Sequence, residues 1–246
     1  AVRVRRQRSQ TEWKGHRCLP QWGVETCPHL RGGRIGFLRH QPQPQLLWTP
    51  DLVSHSRHHF RSPGGVWTKN QPIYFQDFID SEGSRREAWR RKIETDKVMV
   101  DAKPNLGHLA ISKMAQSGKM ASLITQNIDG LHQKSGIADD KIIELHGNST
   151  YAKCLECGER HELDEIMAQF EADETLPVCR ACEGPYVKPA TISFGQSMPE
   201  GPMRDATAQT EACDLFISVG SSLVVYPAAG FPIMAKRNSA RLVIIN

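Results

Sequence analysis

From about residue 66 onward the chain alternates short apolar runs with segments of helical spacing. Met120-Ala-Ser-Leu-Ile-Thr125, Lys141–Leu145, Asp214–Val219 and Arg241–Ile245 are continuous apolar stretches of strand length, which predicts strands buried on both faces. Around them, Phe75–Ile93 sets Phe75, Phe78, Ile79, Ala88, Trp89 and Ile93 amid charges, a broken helical pattern with Gly83 expected in its middle. Pro104 predicts a helix start and Gly118 its end, with Leu106, Leu109, Ala110 and Met114 on one face. Another helix is expected from about Pro227. This alternation of strand and helix predicts an α/β fold whose parallel sheet carries helical cover. A parallel strand at Arg241–Ile245 also leads one to expect a further turn and helix after it.

Leu215–Ala235 holds no charged residue and is long enough to span a bilayer. Gly220, Ser221, Ser222, Pro227, Gly230 and Pro232 interrupt it, which suits a buried strand, a tight turn and a helix start instead. No membrane partner is expected.

The first quarter follows no such pattern. Residues 1–59 carry ten Lys and Arg against three Asp and Glu and hold six of the ten histidines, so the net charge of +4 conceals a basic segment ahead of a mildly acidic body. With only short apolar runs such as Leu46-Leu47-Trp48, the segment fits a disordered extension or one foreign to the body that follows. A transit peptide should be amphipathic, which this stretch is not. A nucleic-acid arm would use Arg3, Arg5, Arg6 and Arg8 on phosphates, yet the cysteine-bearing stretch near 150–190 is not basic, so nucleic acid is a disfavoured partner.

Seven cysteines in 246 residues are too sparse for a secreted disulfide scaffold, and a reducing, cytoplasmic setting is expected. Four of them form Cys154-x-x-Cys157 and Cys179-x-x-Cys182, separated by 21 residues. Two such knuckles can converge on one tetrahedral Zn²⁺ and leave no open coordination position, so the metal is expected to be structural. A disulfide or a redox Cys-x-x-Cys is the competing reading. His161 is expected on the surface, and Cys213 as an ordinary buried thiol.

Polar clusters follow the predicted strands: Gln126-Asn127-Ile128-Asp129 after the first, His146-Gly147-Asn148 after the second and Gly220-Ser221-Ser222 after the third. The carboxyl ends of strands are where open α/β sheets bind ligands. A histidine there can act as a base near neutral pH, although either His132 or His146 alone could equally be structural. Small residues and hydroxyls after a strand suit a phosphate, or merely a turn. No Gly-x-Gly-x-x-Gly occurs.

Taken in order, Thr125–His132, Glu144–Gly147, the cysteine knuckles, Ser193-Phe194-Gly195, Gly220–Ser222, Pro227–Ala229 and Ile244–Asn246 resemble the sirtuins, NAD-dependent protein-lysine deacylases, in a form closest to the bacterial branch. The resemblance runs from about Phe60 to Asn246. It implies a Rossmann-like NAD-binding domain at 60–149 and 191–246, a small zinc-ribbon domain inserted at 150–190, and residues 1–59 unassigned. The implied reaction moves the acetyl group of acetyl-lysine to ADP-ribose and releases nicotinamide. His146 would be the general base. Phe60, Arg61, Gln126, Asn127, Ile128, Asp129, Gly220, Ser221, Ser222 and Asn246 would hold NAD. Val224, Val225 and Tyr226, with Phe194 and Gly195, would hold the acyl-peptide of an acetylated protein. Cys154, Cys157, Cys179 and Cys182 would hold zinc, and His132 would be structural.

Two departures bear on activity. Where the family carries a Gly-Ala-Gly-x-Ser phosphate turn, this chain reads Gln45-Leu46-Leu47-Trp48-Thr49, and His59 stands where an Asp is usual. An inactive or NAD-impaired member is therefore the alternative expectation. Trp89 and Lys92 stand in place of the Tyr-x-x-Arg pair of succinyl-preferring members, which favours acetyl.

Overall fold

The computed structural model describes residues 2–4 and 71–246. Contacts divide the chain into one unit of residues 1–6 and 50–246 and a second of residues 7–49, which lies outside the described residues. Phe60, Arg61, His59 and the Gln45–Thr49 stretch likewise fall outside them.

Within the first unit a five-stranded sheet has the order β3-β2-β1-β7-β8, built from β1 (Val2–Val4), β2 (Met120–Thr125), β3 (Ile142–Glu144), β7 (Leu215–Val219) and β8 (Arg241–Ile245). β2 pairs with β3, and β7 with β8, in parallel. β1 lies between the two pairs and runs antiparallel to both neighbours, with Val2 opposite Leu123 and Ile217. The expected parallel sheet is thus present as two parallel pairs joined by one reversed strand of three residues. The other four strands match their apolar runs, but only β2 is buried along most of its length; β8, expected to be buried on both faces, is an edge strand and leaves Val243, Ile244 and Ile245 exposed.

Three helices pack on these strands, α3 (Leu106–Gln116), α6 (Glu200–Glu211) and α7 (Gly230–Arg237), while α1 (Phe75–Asp80) packs against α2 (Glu82–Met99). Successive side chains of β2 serve opposite faces. Leu123 joins Met120, Ala115 and Ile137 on one face, whereas Ile124 joins Leu145, Ala206, Phe216, Phe231 and Ala235 on the other.

Two helical expectations are corrected. The break in 75–93 falls at Ser81, not Gly83: Ser81 is extended, and its Oγ accepts a hydrogen bond from Ser84 N at 3.2 Å, starting α2. A hydroxyl that satisfies an orphan amide marks a helix start better than a flexible glycine does. In α3, capped by Asn105, the inward face is Ile111, Ser112, Met114 and Ala115, while Leu106 and Leu109 are exposed. Helical spacing allowed either face, and the position of β2 selected this one.

A second, three-stranded sheet has the order β5-β4-β6: β4 (Gly147–Cys154), β5 (Arg160–His161) and β6 (Val187–Thr191). The helix α5 (Leu163–Asp173) covers it. Trp89 and Ile93 of α2 enter the same apolar cluster as Cys154, Cys179, Leu163, Phe170 and Val187. The long helix thereby packs with the cysteine-bearing sheet. Among the described residues no helix is long and apolar enough to cross a membrane.

Candidate active site

The ends of β2 and β3 lie side by side because the strands are parallel and in register, with Thr125 opposite Glu144. Leu145 N donates to Thr125 O at 3.0 Å, and this brings His146 against the Gln126–Asp129 segment. His146 Nδ1 is 3.0 Å from the carbonyl oxygen of Gln126. A carbonyl can only accept, so Nδ1 carries the proton and Nε2 is left with a free lone pair. On its other side, Ile192 N donates to His146 O at 2.9 Å, tethering the segment that leads to Phe194 and Gly195.

The Gln126–Asp129 segment is itself pinned. Asn127 N donates to Thr125 Oγ1 at 3.1 Å. Ser149 donates to Ile128 O through both N and Oγ, each at 2.8 Å. Asp129 Oδ1 accepts from Leu131 N at 2.9 Å at the start of the short helix α4 (Leu131–Lys134). Glu144, the first residue of the Glu144–Gly147 motif, accepts from Gln133 Nε2 at 2.7 Å and Asn148 Nδ2 at 2.6 Å, tying the short helix α4 to the segment after His146.

His132 is buried, and burial followed by the nearby His108 ring pushes its pKa down to about 4. The ring centroids are 4.8 Å apart, and burial lowers the pKa of His108 too. His132 is a neutral packing group here.

Gly220 N donates to Ile245 O at 2.8 Å, which sets the turn after β7 beside the end of β8 and Asn246. Gln126 Nε2 reaches Ser221 Oγ at 3.4 Å, linking the two strand-end clusters across the sheet. Gly220 has φ +61, and no atom lies within 4 Å of where a Cβ would stand. A small pocket between these clusters is lined by Gln126, Ser221, Leu223, Ala228 and Phe231. A larger cleft of about 750 Å³ lies elsewhere, among Glu144, Tyr151, Lys188, Gln196 and Asp205, and His146 is not part of it.

Phe194, Val224, Val225 and Tyr226 are exposed apolar residues, and among the described residues no hydrogen bond joins the 224–226 segment to Phe194. Trp89 and Lys92 line no substrate pocket. Trp89 is fully buried, and Lys92 is buried and paired with Asp96, so neither reports on the acyl group.

The four cysteine sulfurs all lie within 4.8 Å of one another, with Cys154–Cys182 at 3.6 Å and Cys157–Cys179 at 3.5 Å. Zinc–thiolate bonds of about 2.3 Å in a tetrahedron put sulfurs about 3.8 Å apart, so the donor set fits structural Zn²⁺. His161 is corrected: it is buried and paired through β5 with Ala152. A two-residue strand is too short for burial to show as a pattern.

The sequence profile of the Sir2 family matches residues 54–227. NAD-dependent protein deacetylase 1 of Bradyrhizobium diazoefficiens is 55% identical over 187 residues, covering 76% of this chain and 73% of that protein. The NAD-dependent protein deacetylase of Thermotoga maritima is 36% identical over 188 residues, covering 76% and 74%. Among solved structures, a complex of Sir2 with a p53 peptide and NAD+ is similar at TM-score 0.62 and 35% identity, covering 72% of this chain and 73% of that one. A sirtuin solved to explain substrate affinity is similar at TM-score 0.67 and 36% identity, covering 76% and 75%. With the Sir2 profile matched over most of the chain and a relative 55% identical over 187 residues, the chain belongs to the Sir2 family, the sirtuins.

Proposed function

We propose that this chain is an NAD-dependent protein-lysine deacetylase whose general base is His146. The carrying observation is the bond from His146 Nδ1 to the Gln126 carbonyl, which leaves Nε2 to take a proton from a ribose hydroxyl. NAD, when bound, supplies the sugar carbon that receives the acyl oxygen as nicotinamide departs. Gln126, Asn127, Ile128 and Asp129 hold the nicotinamide–ribose end. Gly220, Ser221 and Ser222 hold phosphate, Asn246 holds the adenosine ribose, and Phe60 with Arg61 closes the site. Phe194 and Gly195 pair with the acyl-peptide on one side and Val224, Val225 and Tyr226 on the other, as an added strand. The zinc cysteines hold the small domain, 150–190, against the NAD-binding domain, 60–149 and 191–246. Purified protein incubated with NAD and an acetylated peptide should release nicotinamide, and His146→Ala should stop it. Release at close to the parent rate in the variant rejects the assignment.

One observation favours a second reading, in which the chain keeps the fold but binds NAD poorly. β1 starts beside the site and runs away from it, Val4 lying opposite Met120 and Leu215. The segment that follows β1 in sequence therefore leaves from the opposite end of the sheet, and the Gln45–Thr49 stretch lacks the glycines of the family's phosphate turn. Amide contacts to a pyrophosphate are charge-assisted, each worth about 1–3 kcal/mol, so several missing contacts weaken NAD by orders of magnitude. Calorimetry decides: micromolar NAD affinity removes this reading.

A further inference from the structure

Tyr74 stands just before α1, outside every segment assigned a role above. Its ring is 53% exposed, and so is that of Phe194 at 57%. The two centroids are 6.2 Å apart with the planes tilted by 55°, an open aromatic pair. Phe75 N donates to Phe194 O at 2.8 Å, so the backbone around Tyr74 is fastened to the segment that carries Phe194. Gly195 follows at φ +80, and a Cβ there would come within 3.9 Å of Tyr74 Cδ1. The ring thus abuts the turn that carries Phe194 and Gly195, and it remains exposed.

Charge narrows what belongs there. Asp77 accepts from Tyr74 N at 3.2 Å, which ties a carboxylate to the main chain of Tyr74, and it forms no ion pair among the described residues. Two tilted aromatic faces beside an unpaired carboxylate attract a cation through ring quadrupole and charge together. They repel an acid.

Resting on the reading of Phe194 and Gly195 as a peptide-pairing segment, we propose that Tyr74, Phe194 and Asp77 form a subsite for a cationic side chain, Arg or Lys, flanking the acyl-lysine of the substrate. Tyr74 is then a specificity residue that acts on the choice of peptide and has no part in the acyl transfer.

The test uses the full chain and three fluorescein-labelled acetyl-lysine peptides that differ only in the flanking residues, Arg, norleucine or Glu, with affinities read by anisotropy. The Arg peptide should bind about threefold to thirtyfold more tightly than the norleucine peptide, and the Glu peptide weakest. Tyr74→Leu should collapse the Arg-to-norleucine ratio towards one, Tyr74→Phe should keep it, and Asp77→Asn should reduce the penalty on Glu. Because ratios are compared within each variant, a general loss of binding cancels. An unchanged ratio in Tyr74→Leu, or equal binding of all three peptides by the parent chain, overturns the proposal. Nicotinamide release from the norleucine peptide tests the deacetylase reading separately, since that peptide makes no use of the subsite.

Discussion

His146 and Gln126 are joined by a 3.0 Å contact from the imidazole Nδ1 to a main-chain carbonyl, so a backbone group that no substitution can remove sets the tautomer of the proposed base. Replacing the imidazole itself is the informative change. His146→Ala should lower kcat by about 10²–10⁴-fold, the usual worth of a positioned acid–base group, while peptide affinity changes little. Steady-state nicotinamide release alongside peptide anisotropy separates the two effects.

Gly147 follows the base at φ +71, and a Cβ on it would stand 1.9 Å from the carbonyl oxygen of Ala190. The contact is backbone on backbone, where β4 meets β6 with Gly147 opposite Thr191. Gly147→Ala should therefore push the two strands apart and displace His146, destabilising the fold by about 2–4 kcal/mol. Urea unfolding measures the loss, and activity should fall with it.

Burial, then His108, holds the His132 pKa at about 4, below its ordinary 6.5, while Asp129 opposes the shift. Above pH 6.5 both folded and unfolded chains leave this ring neutral and stability is unaffected. As pH falls from 6.5 to 4 the unfolded chain takes up a proton that the folded one refuses, so stability drops, by up to about 3 kcal/mol, and levels off below 4. His132→Gln should flatten that part of the stability–pH curve. Unfolding curves at pH 7, 5.5 and 4.5 for both proteins check it.

Cys154 and Cys179 share one apolar cluster with Trp89 and Ile93. Removing zinc should therefore be felt in α2 as well as in the small sheet. Chelation, or Cys179→Ser, should shift Trp89 emission to the red and lower Tm together. Trp89→Phe supplies the background from the other four tryptophans. A tryptophan signal that stays constant while metal is lost would show that the cluster holds without its ion.

Strands β2, β7 and β8 were legible because each is a short continuous apolar run, although β8 proved to be an exposed edge strand, and the polar residues after β2 and β7 follow from the α/β grammar. The zinc set was legible because ligand chemistry fixes both residue type and spacing. The break at Ser81, the inward face of α3 and the burial of His161 were not. Each depends on which neighbour arrives from elsewhere in the chain.

The sequence alone determined the family, the zinc ligands and the candidate base, since these rest on residue types whose chemistry is local and whose order along the chain is sufficient. Tertiary structure decided the rest. It set the tautomer of His146 through a carbonyl twenty residues away, placed Tyr74 beside Phe194, and reversed β1 between two parallel pairs. Hydrogen-bond partners, strand direction and exposure are properties of pairs of segments, and no single segment carries them.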